Sequence, residues 1–473
     1  MRGFAAVGCL LGLVLLAGCI GLGFADDRLA EPESNRPDPD GNEDVIGWED
    51  GYWWNDSVPV ESSDGLTQAE IDAVTARAMA RIERIRGYEF TDDVSVEVIS
   101  RETYRERRGD GRPSQAWREQ FWESLFIVGE DTTVDDAFGE LYGSSVLGYY
   151  SGGDIVVVSD TPDDLRLSRG TLVHELEHAL QDQRLGIGSS ARTKDGRLAA
   201  VGVVEGDANY VETLYERRCS DGRFDCISVP EATGDSGGGD VNLGLSVATY
   251  VPYAEGEAFV ARLHERGGWD AVDAAFADRP VSTEQLVHPE AYPDERPASV
   301  SLPDRSSGEW QRLSDDGEPI LETAGETYIY SMLWYAEVVP RDHLTATESD
   351  VSRYTYDHPD SAGWGGDRMA FYTDGSDYGY VWKTTWDTTA DAREFVRAYE
   401  GVLEANGADS RGDGVYVVPD GEFQDAFHVV RTGETVLVVN APTVGDLDGV
   451  HAPAATGSTN TATDRTRRQV TTV

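Results

Sequence analysis

The sequence predicts an α+β protein in two folded parts, and three observations carry that reading. Thr67-x-x-Glu70 is a capping box, and Ile71, Val74, Ala78, Ile82 and Ile85 recur at helical spacing behind it until Gly87 stops the helix. Val94, Val96 and Val98 alternate as a strand, and Val146 to Val158 reads as two short strands about Gly152-Gly153. Further along, residues 320–450 form a second α+β unit. Its strands are expected at Met369–Tyr372, Tyr380–Thr385, Val415–Val418, Ala426–Val430 and Val436–Val439, with a helix over Ala390–Ala405. Residues 301–319, rich in Ser, Gly and Asp, read as the linker between this unit and a first domain spanning 45–300.

The first domain holds more helix. A Trp- and Phe-rich stretch from about 115 to 126 reads as a core helix, and helical spacing returns over 199–212, 257–263 and 269–276, broken at Gly267-Gly268. Ahead of it, residues 1–19 carry one positive charge, an apolar run too short to span a bilayer, and the ending Leu16-Ala17-Gly18-Cys19. That pattern is a secretory signal whose last four residues resemble a lipoprotein cleavage site. The expectation is a chain lipidated at Cys19 and held on the outer face of the cell membrane. Residues 20–44, with Pro32, Pro37 and Pro39, read as a disordered tether, and 451–473 as a disordered tail.

Charge narrows the partners. The chain has 87 acidic and 39 basic residues, a formal net charge of -48, and its only lysines are Lys194 and Lys383. Phosphate would be repelled, so nucleic acid is excluded as a partner. Acidic, lysine-poor surfaces resemble those of halophilic archaea, where salt screens the self-repulsion. The acids are dispersed, without the spacing of a calcium-binding loop. With Cys9 and Cys19 in the leader, Cys219 and Cys226 remain, and export predicts that they form a disulfide.

The chemistry is concentrated in Gly170-Thr-Leu-Val-His174-Glu175-Leu-Glu177-His178-Ala-Leu-Gln-Asp-Gln183. On a helix, His174 and His178 share a face four residues apart and can bind one metal ion, while Glu175 is placed to take a proton from a water. In a chain with 8 His, this pattern should arise by chance only about 0.01 times, which favours a ligand pair over two core histidines. Two imidazoles suit Zn²⁺, and a catalytic site needs a third protein ligand. Cysteine is spoken for by the disulfide. Glu205, behind an apolar helical face and beside Gly206 and Ala208, is the preferred third ligand, with Asp207, Glu212 and His288 as rivals. A second donor is needed for the oxyanion of an acyl-transfer reaction. Tyr210, Tyr253, His288 and Tyr292 are eligible, and His288, in a Pro-bounded loop, is the preferred one.

His174-Glu175-x-x-His178 followed by Glu205 on a second helix resembles the gluzincin arrangement of thermolysin-like zinc peptidases. More closely, this segment with Glu205-Gly-Asp-Ala, Tyr253-Ala-Glu-Gly256-Glu-Ala-Phe259 and Val281-Ser-Thr-Glu-Gln285-Leu-Val-His288-Pro-Glu resembles a set of exported prokaryotic proteins, haloarchaeal surface lipoproteins among them; Gly363-Trp-Gly-Gly-Asp367-Arg368 matches more loosely. The resemblance implies a zincin-like catalytic domain. Zn²⁺ would be held by His174, His178 and Glu205, Glu175 would be the general base, and the substrate would be a peptide or protein. It also implies that Tyr149–Ser151 or Ile155–Val158 is an edge strand that pairs with extended substrate. Asn209 stands four residues after Glu205, where many gluzincins carry a histidine-orienting acid, so that role is left unassigned. The competing expectation is a non-catalytic surface lipoprotein that uses a zincin-like scaffold to bind a partner or cell-wall component.

Overall fold

A computed structural model describes residue 39 and residues 45–453, apart from 59, 61–64, 109–113, 162–166, 228–240, 348 and 350. The expected signal segment, Cys19 and almost all of the tether lie outside the described residues, as does the tail beyond 453. Among the described residues no helix is long and apolar enough to cross a membrane.

The chain is α+β, as expected. A small hairpin, β1 (Trp48–Glu49) and β2 (Tyr52–Trp53), precedes α1 (Gln68–Arg86). The α1 helix begins with both hydrogen bonds of the Thr67/Glu70 capping box and ends at Gly87, whose φ of 80° is the left-handed conformation that glycine supplies without strain. Then come β3 (Ser95–Ser100), α2 (Arg101–Arg108), α3 (Ala116–Ser124), α4 (Val134–Ser145), β4 (Gly148–Ser151) and β5 (Asp154–Ser159). These strands form one sheet in the order β3-β5-β4, with β3 parallel and β4 antiparallel to β5. The run Ile155–Val158 is buried throughout because both faces of the central strand are covered. Ile155 and Val157 pack with α1, and Val156 and Val158 pack with Tyr104 of α2.

Three long helices follow: α5 (Arg169–Arg184), α6 (Lys194–Ser220) and α7 (Leu243–Ala277), then the short α8 (Glu284–Val287). The α7 helix is interrupted at Gly267 and Gly268, where helical spacing predicted a break. Cys219 and Cys226 are disulfide-bonded and tie the end of α6 to the loop after it.

Glycines bring α6 against α7: a Cβ on Gly206 would lie 2.1 Å from the Gly256 carbonyl oxygen, and one on Gly256 would lie 2.2 Å from that of Gly202. Backbone here touches backbone, and no side chain can yield. Gly206→Ala should therefore cost at least about 1–3 kcal/mol by overpacking, read as a lower urea midpoint at unchanged slope.

The C-terminal part begins inside the expected linker. Residues 301–319 carry β6 (Gln311–Arg312), β7 (Ser314–Asp315) and β8 (Glu318–Pro319), and β9 (Leu321–Glu322) follows. Strands β6 and β9 both pair with β10 (Trp364–Thr373), so polar composition marks a sheet edge rather than a separator. Between them lies α9 (Gly325–Tyr335), and after β10 come β11 (Tyr378–Trp386), α10 (Thr389–Ala405), β12 (Asp409–Gly412), β13 (Val415–Val417), β14 (Ala426–Thr432), β15 (Thr435–Ala441) and α11 (Leu447–Val450). The sheet runs β12-β13-β14-β15-β11-β10-β6, with β9 also on β10.

The two parts share a core. Phe121 and Trp122 of α3, Leu245 and Val251 of α7, Ile329 and Leu333 of α9, and Trp382 and Phe395 belong to one buried cluster. Asp367, from the Gly363-Trp-Gly-Gly-Asp motif, fixes α9 within the C-terminal part. It is buried and accepts the Ala324 and Gly325 backbone N–H groups and the Trp364 and Trp382 indoles, which caps α9.

Candidate metal centre

Helices α5 and α6 bring His174, His178 and Glu205 to one point. His174 Nε2 is 3.1 Å from His178 Nε2 and 3.1 Å from Glu205 Oε2, and His178 Nε2 is 3.4 Å from the same oxygen. Among the described residues, this is the one group of three or more His, Cys, Asp or Glu side chains whose ligand atoms converge closely enough to hold a metal ion. It is deeply set, with His174 exposed by 3 %, His178 by 6 % and Glu205 by 0 %. Burial by itself would push the Glu205 carboxyl up, but His178 and His174 outweigh it and hold Glu205 near 2. Glu205 is thus an anion facing two imidazoles, with Oε1 buried and unpartnered.

Glu175 lies beside this group, 2 % exposed. Burial raises its pKa, opposed by His174 and His178, and the Tyr150 backbone N–H reaches its carboxylate. Tyr150 belongs to β4, which pairs only with β5 among the described residues. Gly148 allows the close seating of that strand, since a Cβ there would meet Thr171 at 3.0 Å and the Glu175 side chain at 3.6 Å. Of the two candidate edge strands, β4 is the edge and β5 the centre.

Orientation of the imidazoles comes from residues that motif reading did not assign. Gln181 Oε1 lies 2.9 Å from His178 Nδ1, and Gln181 Nε2 donates to the Val204 carbonyl at 2.9 Å and to Asp207 Oδ2 at 3.0 Å. Glu212 approaches His174 Nδ1 at 3.8 Å, from the side opposite Glu205. Glu212 is therefore no third ligand but stands where an orienting acid is needed, seven residues after Glu205 and so two turns along the same face. Asn209, at the position where that acid was sought, instead donates to the Tyr253 carbonyl. Asp207 is also turned away from the ligand atoms. It shares Arg86 with Glu177 (Arg86 Nε to Glu177 3.2 Å, to Asp207 3.4 Å), and Arg86 Nη2 reaches Asp273 at 3.0 Å. Burial, then Asp207, pushes the Glu177 carboxyl well up, opposed by Arg86.

This chain of contacts makes Gln181 testable. Gln181→Leu removes the acceptor that fixes the His178 ring, and metal affinity should fall about 10- to 100-fold, measured by competition with a chelating dye.

His288 is not at this centre, contrary to expectation. Its Nε2 pairs with Glu326 of α9 at 3.1 Å, and its charged neighbours are Glu326, Asp357 and Glu290, so a carboxylate of the second part claims the ring. Tyr210 bonds His264 and Tyr292 bonds the Asp278 carbonyl, which removes them as well. Of the four eligible groups only Tyr253 is at the site. Its ring stacks on His174 at 6.3 Å, and burial, then Glu205, keeps its phenol protonated, an O–H donor beside Glu205.

Residues 311–451 match the family described as Domain of unknown function (DUF8575). That stretch lies wholly beyond the centre built by α5 and α6. No curated protein and no solved structure matches the chain.

Proposed function

We propose that this protein is a zinc-dependent metallopeptidase with a zincin-like catalytic domain, acting outside the cell and tethered to the membrane through Cys19. The observation that carries the reading is the joint placement of Glu175 against the His174–His178–Glu205 group and of the β4 edge against Glu175. The donor set fits the ion: ligands about 2.0–2.1 Å from a tetrahedral Zn²⁺ stand about 3.3 Å apart, against 3.1, 3.1 and 3.4 Å here.

His174, His178 and Glu205 would hold Zn²⁺, which when bound supplies Lewis acidity to a water and to the scissile carbonyl. The chain does the rest. The outer edge of β4, which has no neighbouring strand among the described residues, offers a side for an extended peptide to pair with. Glu175 takes the proton of the attacking water and returns it to the leaving amine. The Tyr253 O–H, held neutral, donates to the developing oxyanion. Gln181 and Glu212 keep the two rings in register.

One observation favours a second reading, a non-catalytic zincin-like scaffold: Glu175 is only 2 % exposed, which suits a closed structural centre as well as a narrow cleft. Incubation of the purified zinc-loaded protein with a random peptide library separates the two. A peptidase yields new N-termini that disappear with chelation and return with Zn²⁺, and a scaffold yields none.

A further inference from the structure

The C-terminal part holds a second concavity that the proposed reaction does not use. A solvent-open pocket of about 200 Å³ lies among the 302–305 segment, β11, the joined ends of β14 and β15, and the residue after α11. Arg305, Lys383 and His451 line it together with Leu302, Val430 and Leu437.

Its charge opposes that of the chain. The protein carries a net charge of -48 and two lysines, yet one of those lysines converges here with Arg305, and Arg312 stands behind them. None of the three is neutralised by an ion pair among the described residues. Lys383 Nζ donates to the Ser301 carbonyl at 3.0 Å, and Arg312 donates to the Leu302 carbonyl and the Tyr372 hydroxyl. The Arg305 guanidinium is without a carboxylate or hydrogen-bond partner among those residues. Asp304 is the one acid beside His451; it accepts the Ser306 N–H at 3.0 Å and is attracted by Arg312, so a single carboxylate faces three cations.

His451 adds an independent sign. Only 7 % exposed, it has a buried Nδ1 with no partner. Burial, then Arg305, Arg312 and Lys383, push its pKa down to about 4, so the ring is neutral at pH 7. A neutral imidazole carries one N–H, which can donate to an oxyanion. The opposite wall is apolar, and Val430 in it is 37 % exposed, which is unusual for a large aliphatic residue of this sheet.

We propose that this pocket binds a small organic anion, its oxyanion head on Arg305, Lys383 and His451 and a short apolar tail against Leu302, Val430 and Leu437. The assignment does not depend on the peptidase reading. Titration calorimetry on the full chain at constant high chloride, with acetate, hexanoate and inorganic phosphate as probes, tests it. Hexanoate should saturate at one site per chain, at least about tenfold tighter than acetate or phosphate, the difference expected for partial burial of four methylenes. Arg305→Gln and Lys383→Met should each weaken hexanoate about tenfold or more with circular dichroism unchanged, and Glu175→Gln should bind as the parent does. Absence of saturable binding, equal affinity for acetate, phosphate and hexanoate, or hexanoate binding that survives both charge removals would overturn the proposal.

Discussion

Glu175→Gln is expected to keep the fold and one equivalent of bound metal while lowering kcat on a peptide substrate by roughly 10²- to 10⁴-fold. The amide is nearly isosteric with the carboxylate, and Glu175 is not among the three converging ligand atoms, so the substitution removes proton transfer and little else. Metal analysis on the same sample supplies the control. Unchanged turnover in a protein that retains its ion would remove Glu175 from the mechanism, whereas lost turnover with lost ion would make it a structural residue.

Arg86→Met should be the most destabilising single change at the centre. Arg86 is the sole cation bridging Glu177, Asp207 and Asp273, at 3.2, 3.4 and 3.0 Å, and its side chain is fully buried with those of Glu177 and Asp207. Replacing one member of such a cluster leaves the others uncompensated and costs about 3–5 kcal/mol. The loss should spread, because Asp207 also holds Gln181, which holds the His178 ring. Metal affinity should therefore fall with stability. Arg86→Met combined with Glu177→Gln and Asp207→Asn should regain part of the loss, since no buried charge then lacks a partner. A denaturation midpoint for Arg86→Met equal to that of the parent would show that the network contributes nothing.

That network also shows what could be read from the residues and what could not. The spacing of His174 and His178 on one helical face, with Glu205 beyond, located the ligand group because a single helical turn and one helix pairing suffice to build it. Gln181 was legible in principle: it follows His178 by three residues on the same face. Glu212 was open to the same argument, seven residues from Glu205. Arg86 was not, since it comes from a helix some ninety residues before Glu177, and nothing local distinguishes it from the other arginines of α1.

His288 failed for the same reason in reverse. A Pro-bounded loop histidine looks free, and only the tertiary position of Glu326 shows it engaged. Elsewhere, the α1 capping box, the β4–β5 hairpin and the Gly267-Gly268 break followed from local rules. Residues 311–322 did not, because two-residue strands at a sheet edge carry too few residues to show alternation. His451, expected to begin a disordered tail, is packed against Arg305 and Lys383 beyond the reach of any periodic signal.

We propose that two imidazoles and one carboxylate cage a catalytic ion. X-ray absorption at the zinc edge, on protein loaded with one equivalent, tests it most directly. Two nitrogen and two oxygen scatterers near 2.0–2.1 Å are expected, one oxygen being exchangeable solvent, with the signal lost in Glu205→Ala. Four protein donors with no solvent oxygen, or an ion whose shell is indifferent to Glu205, would contradict it.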